Sequence, residues 1–106
     1  MTQTYKNALS ETLSYDEKVR LMTLTVLREE CGRELSKKAY FNDKTVKFDW
    51  KAHNERFNED YSNCSLNELL KLCKQYYGMN NIEEVRNRRK LHKEQYEKRN
   101  PKFLVA

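Results

Sequence analysis

The residues best suited to chemistry are cations near the C-terminus. Between Val85 and Lys102 the chain carries eight Lys and Arg but only two acids, so this segment has a net charge of +6. The whole chain carries +5, and the remaining residues therefore sum to −1. Guanidinium and ammonium groups along one helix can neutralise phosphates, and Arg can also bind guanine edges. The predicted contact residues are Arg86, Arg88, Arg89, Lys90, Lys93, Lys98 and Arg99.

Two kinds of partner would use such a basic helix. Residues 65–99 have the order helix, tight turn and basic helix, which is typical of DNA-binding regulators. Lys74 and Glu84 stand where the helix-turn-helix motif needs a small and an apolar residue, so the chain does not match that family. The first hypothesis is a small nucleic-acid-binding regulatory protein whose last helix contacts phosphates. The alternative is a non-enzymatic interaction factor, such as a phage-type inhibitor or adaptor, that binds an acidic surface of a host protein.

The same segment can also be interpreted without a partner, as a solvent-exposed helix stabilised by its own ion pairs. Glu84 and Arg88 stand four residues apart, as do Glu94 and Lys98. Such helical pairs stabilise by ~0.2–0.5 kcal/mol each. Two acids cannot neutralise eight bases, however, and most of the positive charge is therefore expected to stay exposed.

Residues that could serve catalysis or metal binding are sparse. His53, Glu55 and Glu59 lie in one predicted helix but do not share a face of it. The three cysteines lack the spacing of a structural zinc site, and a chain with two glycines has no glycine-rich phosphate loop. We predict a protein that is not an enzyme and that holds no metal and no cofactor.

Composition indicates a reducing compartment. An odd number of cysteines without paired spacing is typical of free thiols. No apolar run approaches the ~20 residues that span a bilayer, and the N-terminus lacks the features of a signal peptide. We therefore expect a cytoplasmic protein without a membrane partner. The abundance of Lys, Asn, Tyr and Glu, which AT-rich codons favour, suggests a phage or mobile-element gene. The sequence leaves homodimer formation open.

Helices must position these side chains, because only two glycines and one proline interrupt the chain. We predict a mainly α fold, with four to five helices in a single domain over residues 1–106. Residues 1–13 form an arm or a short helix, 82–99 the basic C-terminal helix, and 101–106 an apolar tail. Helix starts are indicated by capping-box pairs, in which Ser or Asn precedes Glu by three residues. These pairs are Ser14/Glu17, Ser65/Glu68 and Asn81/Glu84.

The segment near residues 39–49 allows two interpretations. Val46, Phe48 and Trp50 alternate with polar residues, which is the pattern of a half-buried strand. A short β-hairpin is one interpretation, and an extended loop that inserts its aromatic rings into the core is the other. In the helix that follows, Phe57 is expected to be a core residue.

Overall fold

The structure is a computed structural model that describes residues 13–99. Within that range the chain forms four α-helices and no strand, so the prediction of a mainly α fold is confirmed. The N-terminal arm or short helix predicted for residues 1–13, apart from Leu13, and the apolar tail predicted for 101–106 lie outside the described residues. The helices are α1 (Tyr15–Asn42), α2 (Trp50–Tyr61), α3 (Leu66–Tyr77) and α4 (Ile82–Arg99).

Side-chain caps begin the helices, because the first backbone N–H groups of a helix have no partner within it. The Ser14 hydroxyl accepts a hydrogen bond at 3.1 Å from the N–H three residues further on. Ser65 and Glu68 form a complete capping box at the start of α3, and the Asp49 carboxylate caps α2. α3 ends at Gly78, whose φ of 66° is in the left-handed region that glycine adopts without strain. The capping-box prediction at Ser65 is therefore confirmed.

The prediction of a β-hairpin near residues 39–49 is wrong. α1 continues to Asn42, and a loop connects it to α2. The Asp43 carboxylate closes this loop locally, because it accepts hydrogen bonds from the Thr45 N–H at 2.9 Å and from the Thr45 hydroxyl at 2.6 Å. Within residues 13–99 no strand is available to pair with the loop, so the alternating pattern does not become a β-ladder.

Aromatic packing anchors the loop instead. Phe48 and Trp50 are both half-buried, and their rings meet edge to face with centroids 5.1 Å apart. The Trp50 ring also lies against Gly32 in the middle of α1. The loop interpretation of the alternating pattern therefore describes this segment, with Phe48 and Trp50 as the inserted rings.

α1 is the centre of the fold, since each of the other three helices packs against it. Thr23 of α1 is fully buried, and its hydroxyl donates a 2.8 Å hydrogen bond to the Val19 carbonyl, which satisfies this polar group. The connection between α3 and α4 contributes Met79 to the core. The buried core cluster comprises Leu24, Val26, Leu27, Phe57, Leu69, Cys73, Met79 and Val85.

Gly32→Ala is expected to destabilise the fold by about 1–3 kcal/mol, although alanine favours helices. A Cβ at this position would come within 2.2 Å of the Trp50 ring, so α2 would have to move away from α1. The measurement is the urea midpoint, with Ser36→Ala in the same helix as the control. A midpoint that is unchanged or raised would contradict the close packing of α2 on α1.

Candidate nucleic-acid interface

α4 presents a narrow buried face and a wide polar one. Asn81 caps the helix, because its Oδ1 accepts a 2.9 Å hydrogen bond from the Glu84 N–H. Val85 and His92 are buried and stand seven residues apart, which places them on one face of the helix. A helix with so thin a buried stripe leaves most of its circumference in water.

The Glu30 carboxylate of α1 ties α4 in place. Its Oε1 lies 2.7 Å from Nε2 of His92 and 2.7 Å from Nη1 of Arg88. The hydrogen bond with His92, followed by that with Arg88, lowers the pKa of Glu30 to about 2, although burial acts in the opposite direction. Glu30 is therefore ionised at neutral pH, and it neutralises the charge of Arg88.

The stability that Glu30 contributes is expected to disappear in acid. Its folded-state pKa of about 2 lies below its usual 4.5. The contribution is therefore fully present above pH 4.5 and is lost as the pH falls through the folded-state value. A lowering of this size corresponds to about 3 kcal/mol. Glu30→Gln should lower the free energy of unfolding by about 2–3 kcal/mol near pH 7 and flatten its dependence on pH in acid.

Urea unfolding at neutral and at acid pH measures this effect. The matched control is Glu29→Gln, which removes the adjacent carboxylate of α1. Glu29 forms a 2.9 Å pair with Arg33 and is about a third exposed, so its loss should cost less than about 1 kcal/mol. Equal losses in the two variants would show that Glu30 has no special role.

Two of the seven predicted contact residues are engaged within the protein. Arg88 is turned toward α1 by its bond to Glu30. Arg86 is half-buried, and its guanidinium donates a 2.6 Å hydrogen bond to the Tyr15 hydroxyl. The same guanidinium lies 5.9 Å from the centre of the Tyr15 ring and 3.9 Å from a Glu83 oxygen. Both residues are therefore less available to a partner than the sequence implied.

Four predicted contact residues remain accessible on the surface of α4. They are exposed on α4, and within residues 13–99 no carboxylate oxygen lies within 4.0 Å of their charged nitrogens. Arg99 ends α4, and its side chain is outside the described part of the chain. These four exposed cations are Arg89, Lys90, Lys93 and Lys98.

Ion pairs along α4 do not neutralise these cations. Glu84 accepts a hydrogen bond from the Asn80 N–H at the start of the helix, while Arg88 turns to α1. Glu94 and Lys98 are both exposed and do not approach within 4.0 Å of each other. The Glu84–Arg88 and Glu94–Lys98 pairs expected from the sequence are therefore absent, and they do not neutralise the cations of α4.

The residues of α1 that hold α4 in place were not predicted from the sequence. The bonds of Tyr15 and Glu30 to α4 join residues that are 58 to 71 positions apart, and local patterns carry no signal over such separations. One sign was present in the sequence. His92 lies on the apolar face of its helix, and a buried imidazole needs a hydrogen-bond partner.

The three cysteines and His53 are held in packing and hydrogen-bonding contacts within the protein. Burial raises the pKa of Cys73 to about 11 and also raises the pKa of Cys31 and Cys64, so these thiols stay protonated at neutral pH. Nε2 of His53 lies 2.9 Å from the Arg28 carbonyl, which joins α2 to α1. In the described part of the chain, no group of three or more His, Cys, Asp or Glu side chains is placed to hold a metal ion. None of the described helices is long and apolar enough to cross a membrane.

Comparisons of the chain with protein-family models, with curated proteins and with solved structures gave no significant match.

Proposed function

We propose that the protein is a small, non-enzymatic nucleic-acid-binding regulatory protein that contacts phosphates through α4. The observation that supports this function is the set of four exposed cations on α4, which no described carboxylate neutralises. Arg89 and Lys98 are nine residues apart, so the set extends over about 14 Å of helix. At about 100° of turn per residue, Arg89, Lys90 and Lys93 share one side of α4 and can contact phosphates of one strand, whereas Lys98 lies on the side opposite Arg89.

Phosphate contacts give affinity without reading the base sequence. Each neutralised phosphate releases counterions and contributes about −0.9 to the slope of log K against log salt on duplex DNA. Three or four contacts through the exposed cations therefore give a slope of about −3. Seven engaged cations would give a slope of about −6, so the slope also reports whether Arg86 and Arg88 leave their partners in α1 and α4.

The test is fluorescence anisotropy with labelled duplex DNA, single-stranded DNA and RNA over a series of salt concentrations. We expect binding with a micromolar Kd at about 50 mM salt and a slope near −3. Absence of binding to all three nucleic acids at low salt would overturn the proposal.

An acidic protein partner is the second candidate, and one observation favours it. Tyr96 is 55% exposed and lines a shallow depression together with Arg89 and Lys93. Tyr and Arg are enriched among the residues that dominate protein interfaces, whereas a phosphate contact does not need the ring. A poly-glutamate peptide is a suitable probe. Binding of this peptide, with no binding of nucleic acid at low salt, supports the second candidate.

The cytoplasmic location and the phage or mobile-element origin remain predictions from composition.

A further inference from the structure

An exposed aromatic pair lies at the C-terminal end of α1. Phe41 is 80% exposed and Tyr40 is 52% exposed. Their ring centroids are 6.2 Å apart, with an angle of 69° between the ring planes. Most aromatic rings of α2 and of the preceding loop pack on one another, and these two are instead presented to solvent.

Lysines flank the aromatic pair in the sequence. Two acids lie in the same segment: Glu34 lies 3.6 Å from Lys38, and the Asp43 carboxylate accepts hydrogen bonds from Thr45. With four Lys and two acids, the segment from residue 34 to residue 47 has a net charge of +2 beside its exposed rings. Its exposed lysines are Lys37, Lys38, Lys44 and Lys47.

The aromatic pair lies toward the C-terminal end of α4. The contacts between α1 and α4 follow the same order along both helices, from Tyr15 with Arg86 to Arg33 with Gln95. The two helices therefore run in the same direction. The C-terminal end of α4 therefore points to the same end of the molecule as the C-terminal end of α1.

Lys37 lies on the side of α1 that faces α4. It lines one depression together with Arg33 and Gln95, and Glu30, Glu34 and Arg88 line the same depression. Arg33, Lys37 and Tyr40 are spaced by four and three residues, which places them on one face of α1. From Arg33 to Phe41 the helix rises by about 12 Å, so the rings lie a short distance beyond the last turns of α4.

We propose that Tyr40 and Phe41 form a base-stacking site for unpaired nucleotides of a single-stranded nucleic acid whose phosphates follow the exposed cations of α4. This inference rests on the proposed function and names its preferred ligand. Aromatic rings beside a positively charged groove bind single strands, because every base has a face that can stack. A duplex keeps the faces of its bases covered, so it gains nothing from the aromatic pair.

The test compares wild type with Phe41→Ala on three labelled probes. These are oligothymidine of about 20 nucleotides, an abasic strand with the same number of phosphates, and a duplex of the same length. We expect Phe41→Ala to weaken binding of oligothymidine about ten-fold, which corresponds to one lost stacking contact. Binding of the abasic strand and of the duplex should be unchanged. Phe41→Trp, which keeps an aromatic ring at this position, should bind oligothymidine with the affinity of the wild type.

Matched controls separate stacking from other effects. Tyr76→Ala removes a ring that is 64% exposed on α3 and should change none of the three affinities. Tyr40→Ala should weaken oligothymidine binding in the same sense as Phe41→Ala. Circular dichroism checks that each variant is folded.

Each other outcome is decisive. If Phe41→Ala weakens all three probes equally, or weakens none of them while wild type binds all three, the stacking site is absent and the proposed function stands. If wild type binds none of the probes at low salt, the proposed function fails as well.

Vesicles of phosphatidylcholine and phosphatidylserine form a further arm of the experiment. If Phe41→Ala abolishes vesicle binding and leaves oligothymidine binding intact, the aromatic pair is a membrane contact and the inference is overturned.

Discussion

Replacement of Arg89, Lys90 and Lys93 together by Glu is expected to abolish nucleic-acid binding. These three side chains are exposed neighbours on α4, and no described carboxylate lies within 4.0 Å of them. The triple variant turns three attractive phosphate contacts into repulsive ones. The loss of affinity at about 50 mM salt should be on the order of a hundred-fold or more, and the residual slope with salt should approach zero.

Thermal stability should remain nearly the same in this variant. The reversed side chains are exposed, and exposed charges contribute little to stability, typically less than about 1 kcal/mol. Anisotropy measures the binding, and circular dichroism melting measures the stability. A large loss of stability would mean that the three side chains also hold α4 on α1.

The matched control reverses Lys51, Arg56 and Lys71, which are exposed on α2 and α3. The two triple variants have the same net charge and differ only in where the charge is changed. We expect the control to retain most of the binding. If both variants lose affinity equally, net charge controls binding and α4 is not the contact surface.

Phe57→Ala should cost about 3–5 kcal/mol of stability. The Phe57 side chain is 8% exposed, and its ring centroid lies 4.6 Å from that of Tyr61 and 5.9 Å from that of His53. It is the buried residue through which α2 joins the core. Since small domains are stable by about 5–15 kcal/mol, the substitution removes a large share of the total.

Urea unfolding tests this prediction, and the midpoint should fall by more than about 1 M. Tyr76→Ala is the control, because it removes an aromatic ring that is mainly exposed, and it should change stability by less than about 1 kcal/mol. A midpoint for Phe57→Ala that matches wild type would show that α2 does not pack on α1 through this ring.

Local patterns were enough to predict the helices and the position of the basic surface. Ser65, Glu68 and Gly78 mark the beginning and end of α3 because caps act over three or four residues, a distance that the sequence displays directly. The core position of Phe57 followed from helical periodicity for the same reason. The excess of Lys and Arg near the C-terminus is a property of the sequence. A helix that exposes these side chains presents them as a basic surface.

Only the tertiary structure decided which cations are available and how the loop before α2 is built. Arg88 and Lys90 look equivalent in the sequence, yet Arg88 is bound by Glu30 of α1 and Lys90 is exposed to solvent. The alternating residues before Trp50 had the pattern of a strand, but a strand needs a partner at hydrogen-bonding distance, and the described chain brings none there. Both outcomes depend on contacts between distant parts of the chain, and periodicity, caps and net charge describe only neighbouring residues.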